Sequence, residues 1–309
     1  MKMCAVRSFT IVFLICLVQS GLAQFSFNQA KLSNDLKILS SDSLEGRKVG
    51  STGNAKARQF IIDRLTQLKI NPLLTDDYVQ SFSITQSFGQ AQSGNGNNVL
   101  AVIEGKKKET LVISAHYDHL GILGNTIYNG ADDNASGTAA LLALAEYFQK
   151  NKPEHRIILA FFDAEEMGLR GSAHFVNNID LQKEKIVLNV NMDMISRSAK
   201  NEIYACGTAH YPQLKQPLEK LSLPENILLS LGHDQPGSGR NDWTSQSDHM
   251  NFHRKNIPFL YFGVEDHADY HRPTDDFEKV NQDFYHRSVE VIIRAVKALD
   301  KTFDNKTDR

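Results

Sequence analysis

The run Ile157-Ile158-Leu159-Ala160-Phe161-Phe162 is followed directly by Asp163-Ala164-Glu165-Glu166. Six consecutive apolar residues are typical of a strand that is buried on both faces, as the central strands of parallel sheets are. Adjacent surface glutamates are usually solvated, but a buried strand just before the pair argues against a simple solvated face. The stretch therefore predicts an α/β protein with functional groups where its strands end.

Strand and helix patterns alternate on both sides of this stretch. We expect further strands at Asn98 to Ile103, Thr110 to Ala115, Ile186 to Val190, Ile203 to Ala205, Ile227 to Leu231 and Pro258 to Phe262, and helices at Ala139 to Gln149 and Val289 to Leu299. The first two strands are joined by a charged turn that contains Gly105, which predicts a hairpin. Residues from Phe25 to about Leu73 are expected to be largely helical. The alternation predicts helices on both faces of a largely parallel sheet, with ligands outside the carboxyl ends of the strands.

The composition is that of an ordinary folded protein. The chain has 309 residues, of which 41% are hydrophobic and 23% charged, and its formal net charge is -2. Charges of both signs are interspersed, so the sequence gives no reason to expect nucleic acid or an anionic membrane as a partner.

The amino terminus differs from the rest of the chain. Lys2 and Arg7 precede the apolar run Ile11 to Val18, and the small residues Gly21 and Ala23 follow it. This order predicts a secretory signal peptide over residues 1–23, because the apolar run is too short to span a bilayer comfortably. A retained membrane anchor is the alternative interpretation.

Cleavage of that segment has consequences for the mature chain. It removes two positive charges, which changes the net charge from -2 to about -4, and leaves Cys206 as the only cysteine. No intrachain disulfide is then possible. We expect a secreted or periplasmic protein with no membrane contact after cleavage, in which residues 24–309 form a single domain.

Candidate site residues follow several of the predicted strands. His116 and Asp118 are two residues apart, so in an extended segment they share a face and Asp118 can accept a hydrogen bond from the His116 ring. That contact would leave the other ring nitrogen free for a metal. The acids between Asn129 and Gly137 precede a predicted helix, where carboxylates often act as N-caps. We favour the capping interpretation for Asp133 but not for Asp132.

The remaining candidates complete a metal-binding set. Asp193 lies in the apolar segment Asn189 to Met194, and a buried, unpaired carboxylate is costly unless it meets a cation or is protonated. His271 lies in a Pro-containing loop, where by itself it would be a surface histidine. The carboxylates of Asp132, Glu166 and Asp193 carry three negative charges, which two divalent cations and one hydroxide would balance. Carboxylate and imidazole ligands without thiolate suit zinc with open coordination positions.

The order His-x-Asp, Asp, Glu-Glu, Asp, His resembles that of the M28 family of zinc metallopeptidases, which includes aminopeptidases. The resemblance begins at Leu39 to Arg47 and reaches the His271 loop. It implies a three-layer α/β/α sandwich with a mixed, mostly parallel central sheet, as in zinc exopeptidases. It implies two zinc ions per chain, one bound by His116 and Asp193 and the other by Glu166 and His271, with Asp132 as the bridge and Glu165 as the general base.

The expected reaction is hydrolysis of a peptide substrate. Two metal ions roughly 3.5–4 Å apart would hold and acidify a bridging water. Glu165 would take its proton during attack on the carbonyl and deliver it to the leaving amine. Tyr270 is a candidate hydrogen-bond donor to the developing oxyanion, with simple packing as the alternative.

Several functions remain open on these residues. An aminopeptidase is the leading interpretation, and the alternatives are a carboxypeptidase or dipeptidase, a glutaminyl-cyclase-like transferase with a single zinc, and a non-catalytic binding domain. Ser247-Asp248-His249 also resembles a family motif near the substrate pocket, although Gln246 stands at a position where arginine occurs in relatives. His119 shows no ligand pattern and is interpreted as a surface or capping residue.

Overall fold

A computed structural model describes residues 27–84 and 94–302. The predicted signal peptide over residues 1–23 lies outside the described residues, so it stays a prediction. Within the described part of the chain, no helix is both long and apolar enough to cross a membrane.

The centre of the molecule is a nine-stranded mixed sheet. The described residues form these nine strands and two more in a separate hairpin. In chain order the strands are β1 (Asn71–Pro72), β2 (Val79–Ile84), β3 (Gly94–Ile103), β4 (Thr110–His116), β5 (Gly121–Leu123), β6 (Thr126–Tyr128), β7 (Arg156–Phe162), β8 (Ile186–Met192), β9 (Glu202–Cys206), β10 (Leu228–Leu231) and β11 (Phe259–Gly263). The order across the sheet is β1-β3-β7-β4-β8-β11-β9-β10, with β2 also paired to β3, while β5 and β6 form a separate hairpin. The four central strands β7, β4, β8 and β11 are parallel, and antiparallel pairs flank them on both sides.

Helices cover both faces of this sheet. They are α1 (Gln29–Leu39), α2 (Thr52–Gln67), α3 (Gly137–Lys150), α4 (Arg170–Asn178), α5 (Leu181–Glu184), α6 (Lys215–Glu219), α7 (His249–His253) and α8 (Gln282–Thr302). The side chains of β7 alternate between two cores, as the period of a strand requires. Phe161 packs in the core shared with α1, α2, α3 and α8, whereas Phe162 packs with Phe175 and Phe252 from α4 and α7. The predicted α/β/α sandwich with a mixed sheet is confirmed.

The predicted hairpin between the strands now labelled β3 and β4 is wrong, because β7 lies between them. Phe161 of β7 pairs with Val99 of β3 in antiparallel register and with Ala115 of β4 in parallel register. A strand as apolar as β7 is covered best in the centre of the sheet. The connection at residues 104–109 is long enough to cross the two strand spacings, about 10 Å, that this insertion requires.

Candidate metal centre

Most of the predicted site residues meet at the carboxyl end of the parallel strands. His116 ends β4, Glu165 and Glu166 follow β7, Asp193 directly follows β8, and His271 lies in the loop after β11. Apart from His116, these side chains line one cleft of about 420 Å³. The fold therefore brings together groups that are far apart in sequence, as the strand pattern predicted.

Two sets of possible ligands face each other in this cleft. His116 Nε2 lies 3.3 Å from Asp193 Oδ1 and 3.5 Å from Asp133 Oδ1. His271 Nε2 lies 3.0 Å from Asp133 Oδ2 and 3.3 Å from Glu166 Oε2. Asp133 thus directs one carboxylate oxygen to each set.

These separations fit zinc. Two ligands on one tetrahedral zinc, with bonds of about 2.0–2.2 Å, lie about 3.3–3.6 Å from each other. The imidazole and carboxylate donors are also the types that zinc accepts in sites with open positions. Compact groups of possible ligand atoms, all within 4.8 Å of one another, occur at His116, Glu165 and Asp193 and at His119, Asp133 and Glu166.

Asp133, and not Asp132, occupies the position between the two histidines. The carboxylate of Asp132 is buried, but its Oδ1 accepts hydrogen bonds from Ser196 N and Oγ, both at 2.7 Å, and its Oδ2 lies 3.0 Å from His267 Nε2. The helix cap expected at Asp133 is instead supplied by Asn134, whose Oδ1 accepts from Gly137 N at 2.9 Å. The predicted roles of Asp132 and Asp133 are corrected accordingly, because the irregular backbone of this segment directs adjacent side chains to opposite sides.

The segment that carries these aspartates is held by Asp275. Its carboxylate accepts hydrogen bonds at 3.1 Å from the amides of Asp132 and Asp133. Burial, together with the nearby charge of Asp132, raises the pKa of Asp275 to about 6. Sequence reasoning missed this residue, since no local pattern relates it to a segment about 140 residues earlier.

Asp118 has a different partner from the one predicted. His116 Nδ1 lies 3.2 Å from the main-chain oxygen of Asp118 and 3.6 Å from its carboxylate Oδ1. That main-chain contact still leaves Nε2 facing the cleft, as the prediction required. The Asp118 carboxylate accepts instead from the amides of Glu165 at 3.0 Å and Glu166 at 3.4 Å, so it fixes the turn that presents both glutamates.

His119 is a member of the site that sequence reasoning missed. It is buried, and its Nδ1 lies 2.8 Å from Glu166 Oε1 and 3.7 Å from Asp133 Oδ2. Neither His119 Nδ1 nor Glu166 Oε1 makes an aligned hydrogen bond to a described residue. Buried polar atoms left unsatisfied at one point fit a place for a bound cation.

The electrostatics of the metal-free residues also favour cations. Burial alone would lower the pKa of His116, but Asp193 and Glu165 raise it well above its ordinary value. Asp133 and Glu166 raise the pKa of His271 to about 10. Burial would raise the pKa of Glu166, yet the His119 and His271 imidazoles lower it below the usual range.

Glu165 has the opposite shift from its neighbour. Burial and the charge of Asp193 raise the pKa of Glu165 well above its usual value, although His116 opposes this. A carboxylate that holds a proton readily is suited to accept one from water and release it later.

The Ser247-Asp248-His249 motif lies behind the metal ligands. Ser247 Oγ donates to Asp193 Oδ2 at 2.7 Å and accepts from Asn191 Nδ2 at 3.0 Å. Asp248 is fully buried, and burial raises its pKa to about 7. His249 is also buried, with its Nε2 2.9 Å from Trp243 O, and neither Asp248 nor His249 belongs to the groups of possible ligand atoms found among the described residues.

Tyr270 lines the cleft beside His271. Their rings stack with centroids 4.0 Å apart and planes inclined by 27°. Burial and the nearby charges of Asp133 and Asp193 raise the pKa of Tyr270, so its hydroxyl keeps its proton at neutral pH. Its role as an oxyanion donor stays a prediction.

The fold and the site define an α/β/α protein with a candidate metal centre at the carboxyl ends of its parallel strands. The chain belongs to peptidase family M28, whose model matches residues 98–296. The family resemblance drawn from the motifs is thereby confirmed.

Curated relatives are named aminopeptidases and proteases. The chain is 28% identical to aminopeptidase YwaD of Bacillus subtilis over 217 residues, which cover 65% of this chain and 44% of that protein. It is 25% identical to leucine aminopeptidase 2 of Trichophyton rubrum over 268 residues, covering 81% of this chain and 51% of the relative. The chain thus spans about half the length of these relatives, or less.

Solved structures share the fold. A zinc aminopeptidase from Bacillus subtilis is 17% identical, with a TM-score of 0.71 over 92% of this chain and 97% of that chain. A glutaminyl cyclase from Bacteroides thetaiotaomicron, bound to N-acetylhistamine, is 15% identical, with a TM-score of 0.70 over 88% of this chain and 98% of that chain. At these identities the likeness concerns the fold alone.

Proposed function

We propose that the protein is a zinc-dependent aminopeptidase that removes residues from the unblocked amino terminus of peptides. The observation that carries this proposal is the charge of the cleft. Its described lining comprises Asp133, Glu165, Glu166, Gly168, Leu169, Asp193, Met194, Ser245, Gln246, Met250, Tyr270 and His271, without lysine or arginine.

That charge distinguishes the two ends of a peptide. A carboxypeptidase or dipeptidase must bind a terminal carboxylate, for which arginine or lysine is the usual partner. Two bound zinc ions would offset the charges of Asp133, Glu166 and Asp193, so these carboxylates alone do not select an ammonium group. The described lining still lacks a cationic side chain for a terminal carboxylate, which favours an amino-terminal substrate over a carboxyl-terminal one.

The ligand geometry supports two zinc ions. In this proposal Asp133 would offer one carboxylate oxygen to each ion, His116 and Asp193 would complete one set, and Glu166 and His271 would complete the other. When bound, zinc supplies an acidified water and a Lewis acid that polarises the peptide carbonyl. Glu165 accepts the proton of the attacking water at its carboxylate and returns it to the leaving amine. The Asp118 carboxylate positions Glu165 by accepting a hydrogen bond from the Glu165 main-chain amide.

A glutaminyl cyclase is the second candidate because solved cyclases share this fold. Peptides with a free, an acetylated or an amidated end, and peptides that begin with glutamine, separate the possibilities. We expect hydrolysis of free and C-amidated peptides and none of N-acetylated peptides. Cleavage that survives N-acetylation would rule out an aminopeptidase, and ring closure of amino-terminal glutamine without hydrolysis would establish a cyclase.

Metal content and the general base are tested together. We expect about two zinc ions per chain after gentle purification, as the two ligand sets predict. Glu165→Gln should abolish turnover and keep that metal content, since Glu165 acts on the proton and is not among the proposed ligands. Turnover in this variant would show that another group is the base, and one ion per chain would contradict the two-metal centre.

We also propose export of the protein, on the basic, apolar and small-residue order of residues 1–23. Sequencing of the mature amino terminus should find Gln24 first. A mature chain that still begins at Met1 would contradict cleavage.

A further inference from the structure

Arg47 is buried beneath the metal centre. The side chain is 1% exposed, and its guanidinium donates four hydrogen bonds, all to main-chain oxygens. Among the described residues no carboxylate forms a contact ion pair with it. Burying a cation without such a partner costs free energy, so a functional role for Arg47 is expected.

The accepting oxygens belong to the segments that carry the metal ligands. Nε donates to Tyr117 O at 2.8 Å, directly after His116. Nη1 and Nη2 donate to Asn129 O at 2.5 Å and Gly130 O at 3.0 Å, just before the two aspartates. A single planar guanidinium therefore ties the end of β4 to the segment of the bridging carboxylate.

The backbone at residues 45–47 adopts a strained conformation where it positions the Arg47 side chain. Glu45, Gly46 and Arg47 have φ values of 53°, 63° and 52°, three consecutive left-handed residues. Such a conformation is unfavourable for the two that are not glycine. A Cβ atom on Gly46 would lie 2.2 Å from Tyr128 O, so glycine is required where this turn meets the β5–β6 hairpin.

The charge of Arg47 also acts on the acidic cluster. Burial lowers its pKa to about 10, and the neighbouring charges of Asp133, Asp118 and Asp275 oppose that shift. The guanidinium is therefore charged at neutral pH and offsets part of the repulsion among the carboxylates when no metal is bound.

We propose that Arg47 is a positioning residue that holds the Asn129–Gly130 segment against Tyr117, and so sets the separation of Asp133 and His116 before metal binds. This inference rests on the proposed two-metal centre. It predicts that loss of the guanidinium weakens metal binding more than it weakens the fold.

Arg64 provides the matched control. It is also buried, at 5% exposure, but it donates to the carboxylate of Asp35 at 2.8–3.1 Å, away from the metal segments. Arg47→Lys and Arg64→Lys are each compared with the wild type in zinc affinity, by competition with a chromogenic chelator, and in thermal midpoint without metal.

A lysine ammonium is compact and cannot reach carbonyls on opposite sides. We expect Arg47→Lys to lose at least about tenfold in zinc affinity, the scale seen when partners of metal ligands are removed. Arg64→Lys should lower the thermal midpoint and leave zinc affinity within about twofold. Unchanged zinc affinity in Arg47→Lys overturns the proposal.

Hydrogen exchange in the metal-free wild type tests the same idea even if Arg47→Lys does not fold. Amides of residues 131–133 donate to Asp275, and they should exchange slowly without zinc because Arg47 already holds the segment where Asp275 can accept from it. Exchange at unfolded rates that slows only with zinc would show that the metal, not Arg47, organises the segment. Both readouts are independent of peptidase activity, so a failure of the proposed enzyme function is recognised separately.

Discussion

At the scale of single residues, two adjacent aspartates are expected to behave differently when each is changed. Asp133→Asn removes the charge that faces both histidines, so we expect loss of at least one zinc ion. Because a catalytic metal supplies several kcal/mol of transition-state stabilisation, its loss should lower kcat/KM roughly 10³-fold.

Asp132→Asn is the matched control for that change. It weakens the contacts with Ser196 and His267, which lie outside the two proposed ligand sets, so we expect two zinc ions and a lower free energy of unfolding, by about 1–3 kcal/mol. Metal analysis and denaturant unfolding check both variants. The reverse pattern, with zinc lost from Asp132→Asn alone, would return the bridge to Asp132.

Tyr270→Phe separates an oxyanion donor from a packing residue. The phenylalanine ring keeps the stacking on His271 but removes the hydroxyl. We expect kcat to fall roughly 10²-fold with zinc content unchanged, which is the cost of losing one such donor. Steady-state kinetics with metal analysis measures this, and an unchanged kcat would assign the ring to packing alone.

The residue types of the site were predictable from the sequence, but the directions in which side chains point within irregular segments were not. Spacing rules apply to regular strands and helices, whereas Asp133 and Asn134 have non-helical dihedrals inside a turn. His119 could not be found because its partner Glu166 is brought to it by the pairing of β4 with β7. A histidine three residues after His116, in the same segment, was the only available signal.

At the scale of elements, the central strands were predicted well because burial on both faces produces continuous apolar runs. Strand neighbours were predicted less well, as the position of β7 between β3 and β4 shows. The turn at residues 104–109 is compatible with either pairing. The choice depends on how the whole sheet covers β7, which no local pattern contains.

The end of α8 is joined to the start of β7 by Asp300. Its carboxylate accepts from the amides of Glu154 at 2.8 Å and His155 at 2.7 Å. We expect Asp300→Ala to lower the free energy of unfolding by about 1–3 kcal/mol, because the buried amide of His155 and the half-buried amide of Glu154 lose their acceptor. Activity should be unaffected well below the unfolding temperature.

The pH dependence of that contribution has a definite sign. Burial alone would raise the pKa of Asp300, but the hydrogen bonds from His155 lower it below 3.8. The stabilisation is therefore present above that ordinary value and disappears as pH falls through the lowered pKa. Urea unfolding should show a smaller difference between wild type and Asp300→Ala at pH 3 than at pH 7. The exposed Asp63→Ala should change stability by less than about 0.5 kcal/mol, and an equal loss there would make the Asp300 effect non-specific.

At the scale of the whole molecule, metal binding and folding are linked through the same histidines. Without metal, the carboxylates favour protonated His116 and His271, with the pKa of His271 at about 10. This contribution to stability is complete below the unfolded value near 6.5 and is lost as pH rises through about 10. Zinc binds only the neutral imidazole, so protons compete with it and zinc affinity should rise with pH.

The thermal midpoints of the metal-free and the zinc-loaded protein should therefore depend differently on pH. Between pH 6 and pH 9 we expect the thermal midpoint of the chelator-treated protein to fall relative to that of the zinc-loaded protein, so the difference widens. Calorimetric titration of zinc in two buffers of different ionisation enthalpy should detect release of at least about two protons per chain at pH 7, one from each histidine, with any further release coming from zinc-bound water. A constant difference in midpoint, with no proton release, would mean that His116 and His271 are already neutral before zinc binds. The neighbouring carboxylates would then bind the metal without raising the pKa values of the two histidines.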